Sequence, residues 1–342
     1  MAEEIPLGEV SPSKDKSARG YVVLGIAIGL VIGVVVGYYV HVGTLQYAYK
    51  LLSETQSPPP DLYLVAYSPG KIVLMTAMGT PILEQTLPIN DKFKYIGQVG
   101  DYKIYIVNNY IYVLKDNEIY GKLLVEGLIH GVTMGGNVYV VTRGGVVKLT
   151  IPDLVEEAAR DVEGATWLYA IPEEKMLFVL TERELYVLND NLEIEKKYNA
   201  GGQRLFVGAY YFFVVRGNTL TSYDRSSGKP IASVVLDGEV YDLRACRGIL
   251  FVATSNKLYA LKVPDLATIK TIDAVGNQLI NDVSCSLMYL TEDKTLYTIL
   301  VPSLNMHKVE LTTPLDSLEI RSGALGIAAT TGARRQIALA CG

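Results

Sequence analysis

The pattern of apolar and polar positions divides the chain into one uniformly apolar segment near the start and a long region of short alternating runs. Residues 21–40 form 20 consecutive positions without a charged side chain. At a rise of 1.5 Å per residue, a helix of that length is about 30 Å long and matches the hydrocarbon core of a bilayer. We therefore predict one N-terminal transmembrane α-helix over 21–40, in preference to a helix buried in a soluble core.

The apolar segment is longer than the core of a typical cleaved signal peptide, and the stretch from Tyr38 to His41 lacks the small side chains of a cleavage site. An uncleaved signal anchor is the preferred interpretation. Arg19 and Gly20, just before the segment, faintly resemble an archaeal prepilin-type processing site. Tyr21 fits that second interpretation badly.

Charges on either side of the segment predict its orientation. Lys14, Lys16 and Arg19 precede it, whereas only Lys50 lies within ten residues after it. Under the positive-inside rule, residues 1–20 are a cytoplasmic tail, which its composition predicts to be disordered. The rest of the chain, after residue 40, is then extracytoplasmic, and the protein is a single-pass protein of the cell membrane.

A stripe of glycines follows one side of the predicted membrane helix. Gly25, Gly29, Gly33 and Gly37 recur at every fourth position, which places them along one face. Such a face lets a second helix approach closely, so we predict a helix–helix contact there, either with another copy or with the span of another membrane subunit. The alternative is that glycine is simply common in membrane helices.

A short stalk and a linker are predicted over 41–60. Val42, Leu45, Tyr49 and Leu52 are spaced as on one face of an amphipathic helix. Three prolines at 58–60 then end the helix, because proline lacks the amide hydrogen and clashes with the preceding turn. The domain boundary follows, and 61–342 form the second domain.

From residue 61 onward the helical period is replaced by short β runs with a fixed repeat. Glycines mark the period with spacings of 37, 37, 37 and 38, at Gly127, Gly164, Gly201, Gly238 and Gly276. Each repeat contains an aromatic-led strand, a partner strand and a turn of Pro, Asp or Asn. Four strands in about 37 residues is the unit of a β-propeller blade, whereas a sandwich has no reason to repeat and solenoid coils are usually shorter.

The predicted fold is therefore an all-β propeller. We count eight paired-strand units, of which the first, 61–90, lacks its innermost strand and the last, 314–342, lacks its outermost strand. Eight blades is the favoured interpretation. Seven blades, one of them closed by strands from both ends of the domain, is the alternative.

Composition restricts the chemistry. The formal net charge is −5 and no basic stripe is present, which argues against a nucleic-acid partner. Three histidines and three cysteines, all scattered, do not predict a metal site. Cys246 and Cys285 lie in near-equivalent stretches of adjacent repeats and could pair outside the cell, but we expect buried free thiols. Cys341 is expected to pack in the last strand.

Two turns carry a family resemblance. The stretch Ser222-Tyr223-Asp224-Arg225-Ser226-Ser227-Gly228-Lys229 resembles the turn of quinoprotein-type (PQQ-like) repeats, with Asp224 capping the turn and Gly228 at positive φ. The segment from Val263 to Thr268 resembles the corresponding turn of YVTN-type surface-protein propellers. Members of that superfamily include dehydrogenases and, as in BamB-like assembly lipoproteins, scaffolds without catalysis.

A quinone-dependent enzyme of this superfamily implies stacking tryptophans, a calcium site and often a vicinal disulfide. The chain has one tryptophan and no adjacent cysteines. We therefore expect no catalytic residue, no metal and no cofactor.

Ligand sites of propellers usually lie where the central channel opens. Asn90 and Pro314 continue the series of marker glycines at its two ends. The residue three positions after each marker falls at the start of a predicted innermost strand. These residues, predicted to lie around one mouth, are Phe93, His130, Trp167, Arg204 and Tyr241, with Leu279 and Ser317. Trp, Tyr and Arg are enriched in binding hot spots. The two interpretations are ordinary packing at the rim of the channel and a site for a partner or a small ligand.

These expectations favour a non-catalytic, membrane-anchored scaffold or accessory subunit of a membrane or cell-surface assembly. Its partners would be the lipid bilayer, other membrane subunits or a second copy through the helix, and a protein on a propeller face. The alternative is an extracytoplasmic ligand sensor or a quinoprotein-like enzyme that uses the channel mouth. Fold alone does not choose between them.

Overall fold

The computed structural model describes residues 62–282, 284–312 and 314–322, all within the unit Pro58–Gly342. The predicted membrane helix with its glycine stripe, the stalk and Cys341 lie outside the described residues. Within these residues, no helix has both the length and the apolar character needed to cross a bilayer.

The described chain forms seven four-stranded antiparallel sheets, the blades of a β-propeller. Blade 1 is built from β1 (Leu62–Ser68), β2 (Lys71–Thr76), β3 (Pro81–Thr86) and the last strand, β28 (Ser317–Ser322). Blade 2 contains β4 (Lys94–Val99), β5 (Tyr102–Val107), β6 (Tyr110–Lys115) and β7 (Glu118–Leu124). Blade 3 contains β8 (Leu128–Met134), β9 (Asn137–Thr142), β10 (Gly145–Thr150) and β11 (Glu156–Asp161).

The remaining blades follow in chain order. Blade 4 contains β12 (Ala165–Ile171), β13 (Met176–Thr181), β14 (Leu185–Asn189) and β15 (Ile194–Tyr198), with a short 3-10 helix, Pro172–Glu174, between its first two strands. Blade 5 contains β16 (Arg204–Val207), β17 (Tyr211–Arg216), β18 (Thr219–Asp224) and β19 (Pro230–Val235). Blade 6 contains β20 (Val240–Cys246), β21 (Ile249–Thr254), β22 (Leu258–Lys262) and β23 (Thr268–Ile272). Blade 7 contains β24 (Gln278–Asn281), β25 (Leu287–Glu292), β26 (Thr295–Leu300) and β27 (Met306–Glu310).

Blade 1 is closed by both ends of the domain. β28 pairs antiparallel with β1, from Leu62 opposite Ser322 to Tyr67 opposite Ser317. The favoured count of eight blades is therefore wrong, and the seven-blade alternative is confirmed. The first predicted unit, 61–90, lacks its innermost strand, and β28 from the last predicted unit supplies that strand. Joining them removes two open sheet edges.

Burial follows the position of a strand within its blade. Second strands are almost wholly buried, as in β9, whereas outer strands such as β15 are mostly exposed. In blades 2 to 7, an aromatic residue of the second strand lies between adjacent blades with at most 1% of its surface exposed, as at Tyr105, Phe178 and Tyr289. Each sheet is apolar on both faces because each face packs against a neighbouring blade, so the core of the propeller is a ring of inter-blade layers.

A repeated leucine shapes the turn between the third and outer strands of four blades. Leu154, Leu192, Leu266 and Leu304 all have positive φ, and at most 6% of each is exposed. Burial of the side chain between blades offsets the strain of a left-handed backbone, which is uncommon for leucine. The turns predicted at these positions are thus built around an inward-facing leucine.

The quinoprotein-like turn in blade 5 has the predicted geometry. Asp224 Oδ1 accepts hydrogen bonds from the Ser226 hydroxyl (2.6 Å) and from the Ser227 amide and hydroxyl (both 2.8 Å). The two serine hydroxyls and the backbone amides lower the pKa of Asp224 to about 2. Gly228 has φ +70° and lies against the ring of Tyr198.

Cys246 and Cys285 form a disulfide, so the expectation of free thiols is wrong, although Cys246 is buried as expected. The two Cα atoms are 5.4 Å apart, within the range of a disulfide. Asp282 organises the loop that presents Cys285, because its Oδ1 accepts the amide hydrogens of Ser286 and Leu287, both at 2.7 Å. The bond links blade 6 to blade 7.

Candidate functional site

The innermost strand of each blade, called its first strand here, lines a central channel. In blade 1 this strand is β28, and in the other blades it is the earliest strand in the chain. Neighbouring first strands contact one another around the ring, as do β8, β12 and β16, and β28 closes it against β4 and β24. All of them begin at one face, because each follows a loop between blades. Leu62 pairs with the far end of β28, so it lies at the opposite face from this mouth. The cavity has a volume of about 810 Å³.

Four of the seven residues predicted around the mouth lie in or beside the cavity. His130, Trp167 and Tyr241 line the cavity. Arg204 lines an adjacent recess between blades 5 and 6, and its guanidinium carbon lies 4.8 Å from the centre of the Trp167 ring. These four residues come from blades 3 to 6 and lie along one arc of the channel. Their role in binding stays a prediction.

Phe93 lies elsewhere, in the core between blades 1 and 2. Its ring packs edge-on against Tyr67 and Tyr105, with centroids 6.4 and 5.3 Å away. Its backbone amide donates to Asp316 Oδ2 (3.1 Å) and so joins the first strands of two blades. Leu279 and Ser317 are also buried. In these three repeats, the residue three positions after the marker packs in the core and does not line the cavity.

Trp167 is the centre of a cluster at the mouth. The His130 ring lies 4.4 Å from it between centroids, tilted by 35°. The Lys94 ammonium lies 5.5 Å from the Trp167 ring centre and 3.3 Å from His130 Nδ1. Lys94 and Arg204 are thus both within cation–π distance of one indole ring.

Burial and like charge shift the two titratable groups of the cluster in the same direction. Desolvation, opposed by Asp242 and reinforced by Arg244 and Arg204, lowers the pKa of Lys94 to about 8. His130 has its pKa held well below the ordinary value by burial first and then by the charge of Lys94. His130 is therefore a neutral partner for the ammonium at neutral pH.

Asp242 and Arg244 of β20 also line the cavity and were missed at the sequence level. Asp242 accepts the amide hydrogen of Leu243 through Oδ1 and that of Leu279 through Oδ2, both at 2.9 Å. Arg244 Nη1 lies 3.6 Å from Asp242 Oδ1. A bulge at Tyr241 pairs Val240 and then Asp242 with consecutive residues of β21. The position that faces the channel is therefore Asp242, one residue beyond the Tyr241 that the repeat predicts.

Lys94 was missed for a related reason. It is adjacent to Phe93, the position chosen from the repeat, and it is the first residue of β4. The signal that could have found Lys94 and Asp242 is the residue one place beyond each predicted mouth position.

A second polar group closes the ring on the blade 1 side of the cavity. Glu319 of β28 accepts the Tyr67 hydroxyl through Oε2 at 2.6 Å and pairs with Arg321 through Oε1 at 3.1 Å. Burial, followed by the charge of Glu319, holds the pKa of Tyr67 well above the ordinary value, so its hydroxyl remains a donor. Arg321 also donates to Gln98 of blade 2 at 3.0 Å.

The outer strand of blade 2 carries three large exposed apolar side chains, more than any other described strand. Ile119, Tyr120 and Leu124 are 47%, 54% and 51% exposed. The Tyr120 ring packs at 5.2 Å from Tyr102. Lys122 lies between Tyr120 and Leu124 in sequence, and its ammonium is 4.0 Å from the centre of the Tyr110 ring. We call Ile119, Tyr120, Lys122 and Leu124 the blade 2 patch.

Among the residues that the structure describes, no group of three or more His, Cys, Asp or Glu side chains is arranged to hold a metal ion. The polar chemistry of the cavity is instead that of lysine, arginine and aromatic rings, with single carboxylates.

Comparison with known proteins supports the fold. No family model and no curated protein matches the chain. The solved structure of apo AztD from Citrobacter koseri aligns with a TM-score of 0.56 and 10% identity, over 77% of this chain and 98% of that chain. The dihydro-heme d1 dehydrogenase NirN aligns with a TM-score of 0.50 and 11% identity, over 77% and 76%.

BamB from Moraxella catarrhalis aligns with a TM-score of 0.48 and 13% identity, over 70% of this chain and 78% of that chain. At 10 and 11% identity, the alignments with AztD and NirN show a shared fold and nothing about activity. The architecture implied by the quinoprotein-like resemblance is confirmed at this level.

Proposed function

We propose that this protein is a non-catalytic, membrane-anchored scaffold or accessory subunit that binds a protein partner through the blade 2 patch. The observation that carries the proposal is the exposure of Ile119, Tyr120 and Leu124 on one outer strand. Aromatic and aliphatic side chains that are exposed together are typical of the centre of a protein interface.

The charge around the patch specifies the partner further. Lys122 belongs to the patch, and Lys115 of the neighbouring strand lies 5.4 Å from the centre of the Tyr102 ring. A partner segment that combines apolar side chains with acidic ones would complement both. The closed ring of blades keeps the patch rigid, so binding would cost little conformational entropy.

The anchor in this proposal is the apolar segment 21–40, with residues 1–20 in the cytoplasm and the propeller on the extracytoplasmic side. Gly25, Gly29, Gly33 and Gly37 would contact another membrane helix. A disulfide between blades supports this placement, because disulfides persist in oxidising compartments. The quinoprotein-type relationship suggested by the Asp224 turn is part of the same proposal, with the scaffold members of that superfamily as the model.

The proposal is tested by isolating the full-length protein from its native membrane in mild detergent and identifying the chains that co-migrate with it. We expect a stoichiometric partner with wild type, and its loss when Tyr120→Asp and Leu124→Asp are combined. The matched control is Val235→Asp, since Val235 is an apolar residue 69% exposed on the outer strand of blade 5. A wild-type protein without a co-migrating chain, or a patch variant that keeps its partner, would refute the proposal.

The glycine stripe has a separate test. Replacing Gly29 and Gly33 with isoleucine fills the face that a second helix would approach. We expect lateral association in detergent or in the membrane to be lost while the propeller remains folded. Unchanged association would remove the stripe from the proposal without affecting the blade 2 patch.

A further inference from the structure

Positive charge collects on one arc of the channel mouth. Lys94 and Arg204 both lie against the ring of Trp167, at 5.5 and 4.8 Å from its centre. Arg244 of β20 lines the same cavity as Lys94. Blades 2, 5 and 6 thus each place one cation in or beside this channel, and two of the three lie against one indole ring.

Of these three cations, Arg244 is the one with an ion pair among the described residues, to Asp242. Within the described part of the chain, no carboxylate forms an ion pair with Lys94 or Arg204. The hydrogen-bond partner of the Lys94 ammonium is the ring of His130. Arg204 donates to two backbone carbonyls, those of Tyr241 and Gln203, at 3.2 and 3.1 Å.

The carboxylates that line the cavity are already engaged. Asp242 accepts two backbone amides and faces Arg244. Glu319 is paired with Arg321, and Asp316 accepts the amide of Phe93. Arg244 is paired with Asp242 and Arg321 with Glu319, which leaves Lys94 and Arg204 against the single carboxylate of Asp316. The excess is about one positive charge in and beside a confined cavity, where charges are screened less than at an open surface.

We infer that the channel mouth binds a small oxyanion, held by Lys94 beside the ring of Trp167 and by Arg244 on the wall of the same cavity. An ammonium and a guanidinium are the groups that bind phosphate, sulfate and dicarboxylate oxygens in proteins. The cavity, about 810 Å³, admits such an anion together with a modest organic group. Tyr169 and Phe206 pack against each other at 5.5 Å on the same wall and provide an aromatic surface for that group.

The anion would also relieve a cost that the free protein carries. Burial of the ammonium and neighbouring positive charge lower the pKa of Lys94, which means that its charged form is less stable in this cavity than in water. A bound oxyanion supplies a countercharge. This site does not depend on the blade 2 patch, so either proposal can fail while the other stands.

The experiment uses Trp167, which is the sole tryptophan of the chain, as the reporter. The full-length protein is titrated with sodium sulfate and, separately, with sodium malonate, at constant ionic strength maintained with sodium chloride. We expect a saturable change in tryptophan fluorescence with a dissociation constant below about 1 mM for at least one of the two anions. Tighter binding of sulfate would indicate a tetrahedral phosphate or sulfate group, and tighter binding of malonate a dicarboxylate.

Lys94→Met is the main variant, because it removes the charge and keeps the apolar stem. We expect it to weaken anion binding at least tenfold while the circular dichroism spectrum is unchanged. Arg244→Met is the second variant and should weaken binding by a similar factor. Lys308→Met is the matched control, since Lys308 is an exposed lysine 5.9 Å from the centre of the Tyr297 ring, on the outer strand of blade 7.

Two results would overturn the inference. One is the absence of any saturable signal with both anions up to 50-fold above the expected constant. The other is wild-type affinity in Lys94→Met and Arg244→Met, which would place the anion elsewhere. A loss of affinity in Lys308→Met equal to that in Lys94→Met would also overturn it, since the effect would then be one of overall charge.

Discussion

The closure of blade 1 makes the stability of the propeller depend on Glu319, and we predict that Glu319→Gln destabilises the whole ring. The carboxylate joins Tyr67 of β1 to Arg321 of β28, the two strands that come from opposite ends of the domain. The glutamine has the same shape but no charge, so Arg321 loses its counter-ion. Tyr67, which is fully buried, loses an ionic acceptor.

The magnitude follows from the burial of the three groups. A hydrogen bond to a charged acceptor contributes about 1.5–3 kcal/mol, and the glutamine carbonyl retains part of that. Breaking a buried ion pair costs about 3–5 kcal/mol. The Arg321 and Glu319 side chains are 19% and 21% exposed, so solvent screens the pair and we reduce its share to about 1–2 kcal/mol. The free energy of unfolding should fall by about 2–4 kcal/mol.

The assay is urea unfolding of the full-length protein in mild detergent, followed by the fluorescence of Trp167. A double-mutant cycle with Tyr67→Phe isolates the shared interaction, and we expect a coupling energy of about 1 kcal/mol or more. Glu310→Gln is the control, because Glu310 pairs with Lys308 at a surface where both side chains are more than half exposed. That variant should change stability by less than about 0.5 kcal/mol. A coupling energy near zero, or equal losses in the two glutamate variants, would refute the reasoning.

Three further outcomes are expected. Gly228→Ala should lower the free energy of unfolding in urea by about 2–4 kcal/mol, because a Cβ at φ +70° would clash with the ring of Tyr198. Gly217→Ala, at φ +60° with open space around it, should lower it by only about 1 kcal/mol, and equal losses in the two variants would contradict a cost from the steric clash. Replacing Cys246 and Cys285 together with serine should lower the free energy of unfolding by about 2–4 kcal/mol, since the bond closes a loop with a sequence separation of 39 residues, and a reductant should lower wild type equally but leave the variant unchanged. Sulfate affinity should be constant at acidic and neutral pH and should fall as the pH rises through about 8, because Lys94, whose pKa is lowered to about 8, must be protonated to attract the anion. The neighbouring arginines stay charged over this range and the neighbouring histidine stays neutral. The same fall in Lys94→Met would assign the effect to another group.

The architecture of the second domain could be predicted because each repeat encodes the same local choices. Marker glycines, aromatic-led strands and turn residues recur with one period, and the structure places them at equivalent points of successive blades. Gly127 and Gly164 take positive φ, whereas at Gly201 and Gly276 a Cβ would meet neighbouring atoms within 2.6 Å. One residue type thus meets two different physical requirements at the same place in the repeat.

The number of blades could not be settled in the same way. Pairing of β28 with β1 joins residues about 250 positions apart, and no local pattern states that two incomplete units complete each other. The loss of two open edges decides the matter, and this is a property of the closed ring. Cys285 is a similar case, because its approach to Cys246 depends on a loop that Asp282 organises through backbone hydrogen bonds.

The candidate site was only half predictable, for a reason of register. His130 and Trp167 follow bulges at the start of β8 and β12, and the repeat position selects the inward residue in both. In blade 6 the bulge falls one residue later relative to the marker glycine, so the position that corresponds to Trp167 is occupied by Asp242. A shift of one residue exchanges an aromatic side chain for a carboxylate in the register of the channel wall.

That shift determines the electrostatics of the mouth. The repeat alone predicts aromatic and basic side chains there, which suits packing at a rim as well as it suits binding. The structure adds Lys94 and Arg244 to the same arc, and it commits the nearby carboxylate to two backbone amides. Packing alone does not explain why Lys94 and Arg204, which have no ion pair among the described residues, should share one indole ring and a neutral histidine. A ligand that brings the countercharge does explain it.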